Sequence, residues 1–168
     1  HRRHHMVEVA MTEIEKTLRF EGGYNNDPDD AGGETNFGIS KRRYPHLDIK
    51  NLTREQATEM YQRDYMNKYG FNKIISKEIR WKVFDTSVNM GPIKAIVILQ
   101  LSVGLNPDGV FGEKTLSAVN TATKNIILNN LCTIQSAYYQ GIVARNPSQG
   151  RFLTGWIRRA ADDGTDLA

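Results

Sequence analysis

Apolar residues recur at steps of three and four along most of this chain, and the period-two alternation that marks strands is nearly absent. Val7, Ala10, Met11, Ile14, Leu18 and Phe20 form one stripe, which predicts an amphipathic helix from Val7 to Phe20. Thr53-Arg-Glu-Gln is a capping box, so a helix starts there and runs through Met60, Tyr61 and Tyr65 to Gly70. Ile79, Val83, Phe84 and Val88 mark another helix, Lys77 to Met90, which Gly91-Pro92 separates from an apolar one at Ile93 to Val103. After a turn at Asn106-Pro107-Asp108-Gly109 come helices near Glu113 to Val119 and Lys124 to Ala144. A last one contains Phe152, Leu153, Trp156 and Ile157. The expected fold is mainly α.

One stretch breaks the pattern. Residues Tyr24 to Ile39, YNNDPDDAGGETNFGI, carry too many Gly, Pro and Asp residues for a helix and predict a loop or a small hairpin. Glu21 stands at its entrance, at the end of the first amphipathic stripe and directly before Gly22-Gly23. A carboxyl placed where core meets opening is partly desolvated, which favours the protonated form that a general acid must supply. The glycines let backbone and ligand approach closely. Cleaving a glycosidic bond with inversion also needs a group on the opposite sugar face that positions water. Asp30 and Thr35 are the candidates for it.

Sugars are held by aromatic rings under their apolar faces and by amides and carboxylates at their hydroxyls. Tyr24, Asn36, Phe37 and Asn89 are therefore candidate groove residues, with core packing an equal alternative for Phe37. Asp85 lies one helical turn before Asn89 and either lines the groove or forms an ordinary ion pair. Trp81, Trp156, Tyr61 and Tyr65 fall at core-like spacings and read as packing.

Composition narrows the function classes. The 168 residues carry a formal charge of +3. Residues 1–5 read as a tag remnant, and without Arg2 and Arg3 the charge is nearly balanced. With Arg and Lys scattered along the chain, nucleic acid is not the expected partner. The single cysteine, Cys132, excludes a disulfide framework and reads as a packed thiol. His46 has no second histidine outside residues 1–5, so no metal site is expected. No apolar run is long enough to span a bilayer.

The segment EGGYNNDPDDAGGETNFGIS resembles the signature of the glycoside hydrolase 108 lysozymes, N-acetylmuramidases of phages and bacteria. FDTSVNMG at Phe84 to Gly91, Gln100, DGVFGEKT at Asp108 to Thr115 and FLTGWIRRA at Phe152 to Ala160 resemble the second half of that family, a peptidoglycan-binding region. Met66 departs from it, standing where the family usually shows tryptophan. The resemblance implies a lysozyme-like helical fold with a small loop or hairpin lobe beside the cleft. It implies a catalytic region at 6–91 and a helical peptidoglycan-binding-like region at 92–168, packed on the same core. It makes Glu21 the catalytic acid of a phage endolysin-like enzyme that cleaves the β-1,4 bond between N-acetylmuramic acid and N-acetylglucosamine, with no cofactor. A monomer in the host cytoplasm that reaches the wall through a holin, or by an N-terminal export segment since removed, fits that reading. A lytic transglycosylase giving 1,6-anhydro products and a non-catalytic wall-binding or secretion-assisting protein are the alternatives.

Overall fold

A computed structural model describes residues 13–28 and 33–167. The chain divides into two compact units, the first ending at Asp64 and the second running from Tyr65 to Leu167.

The first unit begins with α1 (residues 13–21), which buries Ile14 and Leu18 four residues apart, as the stripe requires. The part of that stripe from Val7 to Met11 lies outside the described residues. Gly22 ends the helix with φ 69°, its amide reaching back to the Leu18 carbonyl at 3.1 Å. Glycine takes this left-handed cap without the steric penalty a Cβ would bring. Strands β1 (Thr35–Asn36) and β2 (Ile39–Ser40) then pair antiparallel, Thr35 opposite Ser40 and Asn36 opposite Ile39. The connecting Phe37 and Gly38 both have positive φ, 53° and 78°. Two such residues give the turn whose twist matches a hairpin. Within this stretch the described residues form the small hairpin at its end, residues 35–40.

Helix α2 (Arg54–Tyr61) starts where the capping box places it. The Thr53 hydroxyl accepts from the Gln56 amide at 3.1 Å, and the Gln56 side chain accepts from the Thr53 amide at 2.9 Å. The sequence predicts one helix on to Gly70, but the α-helical part stops at Tyr61. A π segment, Gln62–Asn67, follows, and Gly70 closes the stretch with φ 83°. A π turn takes more residues per revolution. It keeps Tyr65 and Met66 buried after Met60 and Tyr61, so Met66 is a packing residue.

In the second unit α3 (Lys77–Met90) is capped by Ser76 and is buried at every position from Trp81 to Ser87. Gly91, with φ 94°, turns the chain, and Pro92 opens α4 (Pro92–Ser102), where a missing amide hydrogen costs nothing. Helices α5 (Glu113–Thr121), α6 (Lys124–Arg145) and α7 (Leu153–Ala161) complete the unit. α3 packs on α4 and α6, α4 on α6, and α6 on α7. Phe152 falls in the 3-10 turn Pro147–Phe152 just before α7.

The DGVFGEKT stretch is held from inside by Gln100, which is 2% exposed. Its amide nitrogen faces the Asp108 carboxylate at 2.8 Å and the Val110 carbonyl at 3.0 Å, while its oxygen accepts from the Gly109 amide at 3.0 Å. The Val110 amide and then Gln100 hold the Asp108 carboxyl below the usual carboxylate range. Phe111 anchors the next step edge-on to Phe71, centroids 5.5 Å apart. These motif residues shape a turn.

Candidate active site

Glu21 is the last residue of α1 and is half-buried. A Cβ added at Gly38 would lie 2.7 Å from both Cγ and Cδ of Glu21, and 2.7 Å from the Tyr61 hydroxyl oxygen. Real contacts are never that short, so the hairpin turn passes against the glutamate with room for hydrogen only. Tyr61 is itself 1% exposed and donates its hydroxyl to the Phe37 carbonyl at 2.6 Å. The acid, the turn and the tyrosine thus form one tight junction. Spacing marks Tyr61 only as packing. The signal available in sequence is weaker: a buried tyrosine hydroxyl must find a partner.

The loop that follows Glu21 is closed at its base. Asn25 and Thr35 exchange backbone hydrogen bonds, both 2.8 Å, and the Tyr24 hydroxyl donates to the Glu34 carboxylate at 2.6 Å. That bond to Glu34 keeps the Tyr24 phenol protonated to higher pH than usual, with burial and the nearby negative charge adding to it. Thr35 is fixed on both sides, by Asn25 and by Ser40. Asp30 lies outside the described residues. Phe37 is half-exposed, and the Arg54 guanidinium stands 5.7 Å from its ring centroid. Tyr24, 41% exposed, reaches the surface.

The remaining expected groove residues turn inward. Asn36 is 6% exposed, and its amide donates to the carbonyls of Ile49 at 3.0 Å and Lys50 at 3.2 Å, which pins the chain before α2. Asp85 is fully buried and meets Arg159 through two bonds of 2.8 Å each, Nε to Oδ2 and Nη2 to Oδ1. This moves Asp85 out of the sugar-contacting set and into the ion-pair reading. Asn89 donates to the Tyr139 hydroxyl, and Tyr139 stacks on Trp156, which stacks in turn on Phe152. Burial pushes the Tyr139 phenol up to about 12, though Arg159 opposes it. Beside this cluster the fully buried Lys82 ammonium donates to the carbonyls of Arg159, Ala160 and Asp162 at 2.9, 2.7 and 2.7 Å. Burial lowers its pKa, and the three carbonyls at the end of α7 supply the compensation a buried cation needs.

Cys132 is half-buried at the rim of a cavity, less enclosed than a core thiol. Among the described residues no cluster of His, Cys, Asp and Glu could hold a metal ion, and no helix is long and apolar enough to cross a membrane.

A mainly helical fold with one small hairpin against a glycine-flanked glutamate is a lysozyme-like architecture. Residues 14–91 match the family model Glycosyl hydrolase 108, and residues 94–161 match that of a Predicted Peptidoglycan domain. The chain is similar to SagA of Brucella abortus, whose structure superposes with a TM-score of 0.72 at 29% identity, covering 91% of this chain and 94% of that one. No curated protein matches it. The first of these regions is of the glycosyl hydrolase 108 type and the second of a peptidoglycan-domain type, and together they support a glycoside hydrolase that acts on peptidoglycan.

Proposed function

We infer that the enzyme is a muramidase of the endolysin type, cleaving the β-1,4 bond between N-acetylmuramic acid and N-acetylglucosamine. Glu21 donates its proton to the departing glycosidic oxygen as the C1–O bond breaks. A water molecule oriented by Asp30 and Thr35 adds to C1 and releases a proton to Asp30. No step in this scheme calls for a cofactor. The observation that carries the reading is the junction at Gly38: a general acid must be held in one place, and the turn that passes against Glu21 is itself fixed by the buried Tyr61 through its bond to the Phe37 carbonyl. The enzyme acts as a monomer, and its substrate lies outside the inner membrane, so it works after a holin or another export route has delivered it.

Digestion of purified peptidoglycan followed by mass spectrometry tests bond and reaction class together. Reducing N-acetylmuramic acid ends are expected. Reducing N-acetylglucosamine ends or 1,6-anhydro products would replace this reading, the latter by a lytic transglycosylase. Glu21→Gln keeps shape and loses the proton, and it is expected to lower the rate by about 10²- to 10⁴-fold. Turnover near wild type would remove Glu21 from the mechanism.

A further inference from the structure

The second unit contains a cavity of about 480 Å³, within the roughly 300–1,000 Å³ usual for ligand sites. It is bounded by the start of α3, one face of α6 and the chain after α7, so neither family-matched segment forms it alone. Asn125, Asn129, Thr133 and Ser136 line it from α6, at helical spacings that put them on one side. Among the described residues none of these four side chains makes a hydrogen bond within the protein. They offer amide and hydroxyl groups to whatever enters.

Charges of both signs stand at the same cavity. Lys124 and Glu78 face each other at 3.7 Å, looser than a hydrogen-bonded ion pair, with the lysine side chain 50% exposed. Burial would raise the Glu78 carboxyl, but its own backbone amide, the Ser76 hydroxyl and Lys124 outweigh that and keep it ionised. Asp163 adds a second carboxylate. Among the described residues no aromatic side chain lines the cavity. A glycan site is built on rings that stack against sugar faces, and this lining has none. Peptidoglycan has a second component whose chemistry matches: short peptides with amide bonds, free carboxylates and an amino group.

We propose that this cavity binds the peptide stem of peptidoglycan, Lys124 taking a stem carboxylate and Glu78 with Asp163 taking the stem amino group. The proposal rests on peptidoglycan being the substrate, and it adds a site that recognises the peptide apart from the chemistry on the sugar.

The test uses the full chain, isotope-labelled, titrated with a synthetic stem tetrapeptide that ends in a diamino acid and, separately, with a stem-free N-acetylglucosamine tetramer. The tetrapeptide is expected to shift the side-chain amide signals of Asn125 and Asn129 to saturation, and Lys124→Glu to weaken that binding at least tenfold. On whole peptidoglycan the same variant should raise KM with kcat unchanged, while turnover of glycan stripped of its peptides stays at the wild-type level. Lys124 is half-exposed, so the fold is not at stake, and Asn129→Ala provides a second variant. No saturable shift with the tetrapeptide, or shifts with the glycan tetramer instead, would overturn the proposal. Either result leaves the assignment of Glu21 standing, and an active Glu21→Gln would leave the stem titration untouched.

Discussion

The junction around Glu21 and the cluster around Asp85 each place a carboxylate on a helix, in opposite surroundings. Asp85 is fully buried and its two oxygens are spent on Arg159, with Lys82, Tyr139 and Asn89 close by in the same interior. Glu21 is half-buried, with the Gly38 turn passing directly against its side chain. A carboxylate consumed by a partner contributes to the fold and has nothing left for a substrate. Partial exposure, which Glu21 keeps and Asp85 lacks, is what the proposed proton transfer requires. Both motifs that resemble the family contain acids, and the two differ in burial.

Substituting the two acids side by side separates the two surroundings most clearly. Glu21→Gln is expected to lose two to four orders of magnitude in turnover, as set out above, with a melting temperature close to wild type. Asp85→Ala should do the reverse in kind. Stranding a buried Arg159 costs about 3–5 kcal/mol. At roughly 2–4 °C per kcal/mol that lowers the melting temperature by on the order of ten degrees. Calorimetry and a turbidity assay on both variants decide it; a stable Asp85→Ala protein that is inactive would return Asp85 to the site.

Gly38→Ala comes next, because it combines the two effects. An alanine there meets a positive φ and the Glu21 side chain together, which costs about 1–3 kcal/mol in backbone strain. Displacing the acid by an ångström is worth on the order of 100-fold in rate. Activity should therefore fall much further than stability. Equal losses in both would reduce the turn to scaffold.

The smallest effect sharpens the other side. Tyr139 has a folded pKa of about 12 against an ordinary 10, so the folded state holds its proton more tightly. Its contribution is complete below pH 10 and is lost as pH rises from 10 to 12. Tyr139→Phe, compared with wild type by melting temperature from pH 8 to 12, should differ by about 1 kcal/mol at neutral pH and remove that alkaline loss. Parallel alkaline curves for the two proteins would show that the phenol does not titrate where its burial places it.

What could be read in the sequence was local. The capping box at Thr53 and the stop at Gly91-Pro92 each depend on residues a few positions apart and formed where expected, while the loop or hairpin expected across Tyr24 to Ile39 gave a hairpin at its end. The π segment after Tyr61 was not legible, since it follows from keeping Met66 buried and leaves no mark in the periodicity. The Asp85–Arg159 and Lys82–Asp162 contacts span more than 70 positions, and nothing in either segment names its partner. Glu21 stands out as a candidate because helix end and glycine loop adjoin it. Its clamp does not, because Gly38 and Tyr61 meet only once the chain has folded back.

Lys82 carries a practical lesson for anyone wishing to trim or fuse this protein. Because its ammonium donates to three carbonyl oxygens at the end of α7, that segment behaves as a plug. Cutting the polypeptide ahead of residue 159 would remove the three carbonyls of Lys82 and the guanidinium partner of Asp85 in one stroke, whereas cargo appended beyond Leu167 would leave both in place.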